Sequence, residues 1–240
     1  MESRRTVLAA ALGAAVGTAA VLGPGTKALA AASSQALGYH RVPTGRRAVA
    51  LTLDDGPDPR FTPAVLDLLA AHGARATFFV VGVGVMAHPD LVRRAVAEGH
   101  EVANHTLSHE RLDRLDRPGV RAQLEGGAAA ISALGLGPAG RPRLVRAPFG
   151  FEGAASRAEM LAGSWEVARW RGCLERHLRH EPPETAASRL AAGARPGVIL
   201  LAHDGGGPDR GPTLAALPTL LAALAARGLA VTSIGGLQAG

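Results

Sequence analysis

The chain of 240 residues contains one cysteine, Cys173, and one lysine, Lys27. A single cysteine excludes a disulfide within the chain, so stability must come from a packed core. Aromatic residues make up only 3% of the sequence, and alanine, leucine, valine and glycine must therefore fill that core. The net charge of +6 comes from arginines spread along the chain rather than from a dense basic cluster. The sequence thus predicts no nucleic-acid partner.

The first thirty residues have the pattern of an export signal. Arg4 and Arg5 precede an Ala/Gly/Val run that reaches Leu22, and Ala28-Leu29-Ala30 is an A-x-A cleavage pattern. The paired arginines predict a twin-arginine signal over residues 1–30, and hence an exported protein. The apolar run is shorter than the ~20 residues that span a bilayer, so we expect no stable membrane insertion after cleavage. A membrane anchor is the alternative.

The rest of the chain is expected to form a single domain after a linker. Residues 31–46 are small and polar and predict the linker, which leaves residues 47–240 for the domain. Within the domain, short apolar runs alternate about seven times with helical patterns, which predicts a parallel sheet with helices outside. A closed or nearly closed barrel fits this length, and a doubly wound sheet is the alternative. The predicted strands are Ala48–Leu53, Ala76–Val81, Glu101–Asn104, Leu144–Arg146, Ser164–Ala168, Val198–Ala202 and Ala230–Ile234.

Two adjacent carboxylates, Asp54 and Asp55, follow the first predicted strand and precede Gly56-Pro57. Neighbouring side chains on a strand normally point apart. We expect the Gly-Pro turn to break this alternation, so that both carboxylates face one cleft. A metal cation between them would offset their repulsion. A simple turn or helix cap is the alternative, because aspartate is common in both.

His105 and His109 lie four residues apart in the segment N-H-T-L-S-H and project to one side if that segment is helical. Imidazole is a frequent zinc ligand, although surface or core histidines are the alternative. Two imidazoles and one carboxylate would give three protein ligands, as in catalytic zinc sites that keep one position open for water. The second aspartate would then accept a proton from the activated water.

Two further polar residues end predicted strands. His203 follows the apolar stretch 198–202 and could protonate a leaving group, with a structural histidine as the alternative. Arg146 could hold a carboxylate through a two-pronged contact, with a surface ion pair as the alternative. In β/α barrels the carboxyl ends of the strands carry the active site, so we expect all these strand-end residues to meet there.

Taken in order, these segments resemble the motifs of the polysaccharide deacetylases, the NodB-homology proteins of carbohydrate esterase family 4. T-L-D-D-G-P is similar to the first motif of that family, G-H-E-V-A-N-H-T-L-S-H to the second, R-A-P-F-G to the third and P-G-V-I-L-L-A-H-D to the fifth. The resemblance runs from about Arg47 to the C-terminus. It implies a distorted (β/α)7-type barrel as a single catalytic domain over residues 47–240.

The resemblance also implies a metal centre. Asp54 would be the general base, while Asp55, His105 and His109 would bind one divalent ion, expected to be Zn2+ with Co2+ or a similar ion as the alternative. Arg146 would orient Asp54.

On the substrate side, the resemblance implies that the backbone N–H of Phe149 helps to hold the oxyanion and that Leu201 lines an acetyl pocket. His203 would be the general acid. The implied reaction removes N-acetyl or O-acetyl groups from a cell-wall or extracellular polysaccharide such as chitin oligomers or peptidoglycan. A non-catalytic glycan-binding protein that keeps the metal site is the alternative, and an acetyl-xylan esterase or a non-sugar amidase also remains open.

The fourth motif departs from the family pattern D-x-x-D-W. In the segment W-E-V-A-R-W, Ala168 stands where the family has the aspartate that orients the catalytic histidine. Glu166 lies two residues earlier, on the same face of the predicted strand. We therefore expect Glu166 to support His203 in place of the missing aspartate.

Overall fold

The computed structural model describes residues 38–239, which form one eight-stranded parallel sheet and nine α-helices. The strands are β1 (Ala48–Asp54), β2 (Thr77–Val80), β3 (Glu101–Asn104), β4 (Gly140–Val145), β5 (Glu166–Val167), β6 (Gly172–Cys173), β7 (Ile199–His203) and β8 (Ala230–Thr232). The helices are α1 (Thr62–Ala71), α2 (Gly82–Ala87), α3 (Pro89–Ala97), α4 (Arg117–Ser132), α5 (Ala154–Ala162), α6 (Leu174–Leu178), α7 (Pro183–Gly193), α8 (Gly211–Ala226) and α9 (Ile234–Gln238). The predicted export signal and residues 31–37 lie outside the described residues.

Seven strands follow one another in the order β5-β4-β3-β2-β1-β7-β6, and β8 pairs with β1 alone. The sheet curls into a barrel whose two edges, β5 and β6, are joined by no ladder within residues 38–239. The predicted distorted (β/α)7-type barrel in a single domain is therefore confirmed. Every predicted strand is present, although β4 begins at Gly140 rather than at Leu144.

Strand β1 explains how the core positions the site. All seven of its residues are buried, because the strand has packed side chains on both faces. Val49, Leu51 and Leu53 join the large apolar cluster shared with the surrounding helices, whereas Ala48 and Ala50 join the small cluster inside the barrel. Asp54 continues the inward-facing alternation and so ends β1 at the mouth of the barrel.

The end of the predicted linker is part of the barrel wall. The backbone N–H of Tyr39 donates to the carbonyl of Val167 at 3.0 Å, and the carbonyl of Tyr39 accepts from Arg169 at 2.7 Å. The N–H of Val42 donates to the carbonyl of Gly197 at 2.8 Å, just before β7. Residues 39–42 therefore form a strap between β5 and β7, and the linker interpretation does not apply to them.

Two of the helices, α4 and α9, begin with a side-chain cap. At the start of α4, the side chain of Asp116 accepts a hydrogen bond from the N–H of Gly119 at 2.9 Å, and Pro118 occupies the first turn.

Across the described part of the chain, no helix has both the length and the apolar character needed to cross a bilayer.

Candidate active site

Polar side chains from separate strand ends meet at the carboxyl end of the barrel, around a cleft of about 570 Å³. Asp54 ends β1, His105 follows β3 and His203 ends β7. The cleft lining includes the predicted site residues Asp54, Asp55, His105, His109, Phe149, Leu201 and His203. The strand-end rule therefore predicted this meeting correctly.

Asp54 is held by a buried arginine. Nη1 of Arg146 donates to Oδ1 of Asp54 at 2.6 Å and to Oγ1 of Thr52 at 2.8 Å. Arg146 is only 1% exposed, and its guanidinium stacks over the ring of Phe79 at 4.1 Å. A charge this deeply buried requires a partner of opposite charge, so Arg146 and Asp54 hold each other in place. Oδ1 of Asp54 faces the arginine, and Oδ2 lies 3.8 Å from Nε2 of His105.

Asp55 enters the same cleft because its own backbone is left-handed, with φ of 75°. Few residues other than glycine adopt this conformation, but aspartate tolerates it better than most. The alternation of β1 is therefore broken at Asp55 itself and not, as the sequence predicts, at Gly56-Pro57. Asp55 is further enclosed by Gly206, where a Cβ would lie 2.5 Å from Oδ2 of Asp55. Only glycine permits so close an approach.

His105 and His109 lie side by side, with ring centroids 4.9 Å apart. The predicted projection to one side is present, but the segment between them is a loop rather than a helix. Thr106 and His109 have φ of 71° and 60°, and these two left-handed residues turn the chain so that both rings face the cleft. Left-handed residues other than glycine are costly and tend to cluster at functional sites.

The donor atoms of Asp55, His105 and His109 fit a divalent cation. Nε2 of His105 and Nε2 of His109 lie 3.2 Å and 3.0 Å from Oδ1 of Asp55. A tetrahedral zinc with bonds of ~2.0–2.1 Å holds its ligand atoms ~3.3 Å apart. Nδ1 of His105 lies 2.9 Å from the carbonyl of Arg146, so Nδ1 donates its proton there and Nε2 is the nitrogen that faces the carboxylate. A cation held between Nε2 and the carboxylate would be attracted to both.

The carboxylate that contacts His203 belongs to Glu175, two residues after the end of β6. Oε2 of Glu175 lies 2.9 Å from Nδ1 of His203, in an ion pair whose N–H direction is off the ideal hydrogen-bond line. Oε1 of Glu175 accepts from the backbone N–H of His203 and from Oγ1 of Thr213, both at 3.0 Å. Burial lowers the pKa of His203, but the carboxylates of Glu175, Asp54 and Asp55 together raise it by more, so the pKa lies above its ordinary value. The ion pair of protonated His203 and ionised Glu175 is therefore favoured.

The expectation that Glu166 supports His203 is wrong. Glu166 lies at the opposite end of the barrel, where its carboxylate contacts Tyr39, Arg141 and Gln238. It faces this end because it is the first residue of β5 and lies beside Arg141, near the start of β4. Ala168 is buried, and its carbonyl accepts from Nε of Arg146 at 3.3 Å.

Glu175 was not predicted from the sequence, because no element is predicted between residues 168 and 183. Strand β6 has two residues and α6 has five, which is too short for a recognisable hydrophobic period. The available signal was a carboxylate directly after a short run of small and apolar residues, as at the other strand ends. That signal is weak on its own.

The remaining wall of the cleft is aromatic and apolar. Phe149 has φ of 60°, is 57% exposed and packs its ring on His109 with centroids 4.7 Å apart. Leu201 is buried and lines the cleft, as does Cys173. Burial raises the pKa of the Cys173 thiol to about 11, so this thiol is not a nucleophile at neutral pH.

Residues 41–162 match the family model described as polysaccharide deacetylase. The chain belongs to the polysaccharide deacetylase family. A chitooligosaccharide deacetylase of Sinorhizobium fredii is 39% identical over 206 residues, which cover 80% of this chain and 92% of the relative. A peptidoglycan-N-acetylglucosamine deacetylase of Bacillus cereus is 33% identical over 188 residues, which cover 78% of this chain and 86% of the relative.

The fold of this polysaccharide deacetylase chain is also that of solved relatives. A crystal structure of a peptidoglycan N-acetylglucosamine deacetylase matches with a TM-score of 0.74 and 27% identity, covering 82% of this chain and 90% of the other. The resemblance inferred from the motifs is confirmed. The roles that it implies for individual residues stay predictions. To these the structure adds that the implied residues line one cleft, except Arg146, which is buried and contacts Asp54 from behind the cleft wall.

Proposed function

We propose that this family member is a metal-dependent hydrolase that removes N-acetyl, or alternatively O-acetyl, groups from a cell-wall or extracellular polysaccharide. The observation that carries the proposal is the donor set of Asp55, His105 and His109 directly beside an aspartate held by Arg146. The relatives named above are chitooligosaccharide and peptidoglycan deacetylases, and both substrates are consistent with this cleft.

Asp55, His105 and His109 would hold the divalent ion, which we propose to be Zn2+, with Co2+ or a similar ion as the alternative. When bound, such an ion acts as a Lewis acid that polarises the acetyl carbonyl and lowers the pKa of a coordinated water towards ~7. The second ring nitrogen of His105 is already occupied by the carbonyl of Arg146, which fixes the ring and increases its quality as a ligand.

Asp54 would act as the general base. Its Oδ1 is engaged by Arg146, so Oδ2 is the oxygen left to take a proton from the attacking water. As the water oxygen bonds to the carbonyl carbon, negative charge develops on the carbonyl oxygen. The backbone N–H of Phe149 would donate a hydrogen bond to that oxygen.

His203 would act as the general acid. The C–N bond, or the C–O bond of an ester, breaks as protonated His203 gives a proton to the departing sugar, and acetate is released. Glu175 holds the ring through Nδ1 and favours its charged form. Leu201 would contact the acetyl methyl group. This scheme requires no covalent enzyme intermediate.

We also propose that the protein acts outside the cytoplasm, from the paired arginines and the cleavage pattern in residues 1–30. A polymeric acetylated glycan is then its partner. We propose no nucleic-acid partner and no stable membrane insertion once the signal is removed.

Acetate release from chitin oligomers, peptidoglycan and acetylated xylan tests the proposal and separates its alternatives. We expect release from N-acetylated glycans to stop on chelation and to return with Zn2+, and Asp54→Asn to bind zinc without releasing acetate. Undiminished release after chelation would contradict the metal mechanism. Binding of a glycan by zinc-loaded protein without any acetate would favour a non-catalytic glycan-binding protein. We test for this non-catalytic function because Ala168 stands in place of the fourth-motif aspartate.

A further inference from the structure

Two arginines at the cleft have no anionic partner among residues 38–239. Arg176 and Arg179 are exposed and line the cleft together with the site residues. Neither forms an ion pair or a side-chain hydrogen bond with another described residue. The cleft therefore contains two guanidinium groups whose charge this part of the chain does not neutralise.

Other arginines around the cleft are paired, which makes these two distinct. Arg210 lies 3.3 Å from Asp55, and Arg169 lies 2.7 Å from Glu152. Arg111, which stacks over the ring of Phe151, is paired with Asp113 at 2.7 Å. Of the three arginines that line the cleft, only Arg210 is therefore paired with a carboxylate of the described residues.

The local backbone brings the two unpaired charges together. Arg176 lies in α6, and Arg179 follows with helical φ and ψ of −65° and −22°. Residues three apart share a helix face, and like charges at that spacing destabilise the helix. The two residues between them, 177 and 178, are not acidic, and the preceding Glu175 turns inward to His203. An anion bound by both guanidinium groups would remove this repulsion.

We propose that Arg176 and Arg179 bind an anionic oxygen group carried by the glycan, so that the cleft selects an anionic acetylated polysaccharide over a neutral one. This inference depends on the proposed deacetylase function. His203 protonates the departing sugar, so the sugar lies beside His203 and Glu175. Arg176 directly follows Glu175 and is therefore placed on the sugar side of the scissile bond. The planar fork of arginine matches a carboxylate or a phosphate.

The aromatic wall supplies a separate contact for the neutral part of the glycan. Phe149 is 57% exposed, Phe151 is 48% exposed, and both line the cleft with Trp170. Apolar ring faces can pack on sugar rings irrespective of charge. Substitution of the two arginines should therefore leave activity on neutral substrates unchanged. The preference for anionic substrates can then be measured against that activity.

The test compares three glycans that share the same N-acetylated sugar. One carries a lactyl carboxylate on alternate sugars, the second carries that carboxylate as its methyl amide, and the third carries a phosphate monoester. For zinc-loaded protein we measure kcat/KM of acetate release, together with glycan affinity by calorimetry. The native chain is compared with the double variant Arg176→Gln/Arg179→Gln. Arg189→Gln/Arg195→Gln is the control, because it removes two exposed charges that do not line the cleft.

We expect the native chain and the control to prefer an anionic glycan over the amide by about tenfold, and the double variant to lose that preference while keeping activity on the amide. Which anionic glycan shows the preference identifies the group as carboxylate or phosphate. Equal kcat/KM for all three glycans with the native chain would overturn the inference, as would an equal loss on all three in the double variant. If the native chain released no acetate from any glycan, the deacetylase proposal would fail, and the calorimetric preference would still decide the role of the arginines.

Discussion

Glu175 contacts His203 at two points, with one carboxylate oxygen 2.9 Å from the ring nitrogen Nδ1 and the other 3.0 Å from the backbone nitrogen. One side chain thus fixes both the position of the residue and the direction of its ring. The carboxylate comes from a different part of the chain than the fourth-motif position, where Ala168 stands. The support of the histidine is therefore present although the usual residue is absent.

Glu175→Gln is expected to move the pH dependence of the reaction. Glu175 raises the pKa of His203, and a general acid is active only below its pKa, so activity is lost as pH rises through that value. Removal of the carboxylate charge lowers this pKa, so the alkaline limb of the kcat profile should shift to lower pH, with kcat reduced by about tenfold or more. The control is Glu181→Gln, which removes a carboxylate paired with Arg189 away from the cleft. An unchanged alkaline limb would exclude Glu175 from acid catalysis.

Glu166→Gln should leave that profile unchanged and reduce stability instead. Its carboxylate contacts Tyr39, Arg141 and Gln238 at the end of the barrel away from the cleft. Loss of a charged acceptor from this half-buried cluster should lower the free energy of unfolding by about 1–2 kcal/mol. Denaturant titration measures the change, and the kcat profile serves as the control. A shifted alkaline limb would show that Glu166 communicates with the site after all.

Arg146→Met should be strongly destabilising. It would leave Asp54 buried without its counter-charge, and breaking a buried ion pair from one side costs about 3–5 kcal/mol. Arg146→Lys keeps the charge but cannot reproduce the contacts to Thr52 and to the carbonyl of Ala168. We expect the lysine variant to recover part of the stability while kcat stays well below that of the native chain. Full recovery of kcat would mean that the positive charge positions Asp54 without the other contacts of the guanidinium group.

Zinc affinity should depend on the proposed donor set and on pH. His109→Ala is expected to weaken zinc binding by at least about tenfold, whereas His180→Ala, at an exposed histidine outside the cleft, should leave the affinity unchanged. Because imidazole binds metal only when neutral, affinity should fall as pH drops through the histidine pKa values. Calorimetry with Zn2+ alone measures both effects. Equal affinities of the native chain and the His109 variant would remove His109 from the metal site.

Gly206→Ala tests the enclosure of Asp55. The added Cβ would lie 2.5 Å from Oδ2 of Asp55, and the backbone φ of 70° disfavours any side chain. We expect weaker zinc binding together with a loss of about 1 kcal/mol in the free energy of unfolding. Gly135→Ala is the matched control, since its backbone φ is 62° and nothing lies within 4 Å of its Cβ position. Unaltered zinc affinity in Gly206→Ala would show that the loop yields without moving Asp55.

The strand-end residues were predictable because their positions follow from the alternation of strands and helices. Asp54, His105 and His203 occupy the carboxyl ends of strands that the hydrophobic pattern identified, and the parallel topology brings those ends together. Glu175 was not predictable in this way, because its two-residue strand leaves no periodic signal.

Backbone detail was equally hidden from the pattern. The left-handed conformations of Asp55, Thr106 and His109 depend on tertiary packing, and they replaced the turn and the helix that the sequence suggested. The prediction for Glu166 failed because a shared strand face does not determine which end of the barrel a side chain reaches. Glu166 shares a strand face with Ala168 in the sequence, but the structure directs it to the other end of the barrel.

The strap of residues 39–42 bears on how the protein can be produced. A chain trimmed to begin at Arg47, where the motifs begin, would leave the backbone groups of Val167, Arg169 and Gly197 without their partners. Unpaired backbone at a sheet edge recruits strands from other molecules, so the shortened protein should aggregate. A recombinant chain that retains Gly38 onward keeps the edge covered and should remain soluble.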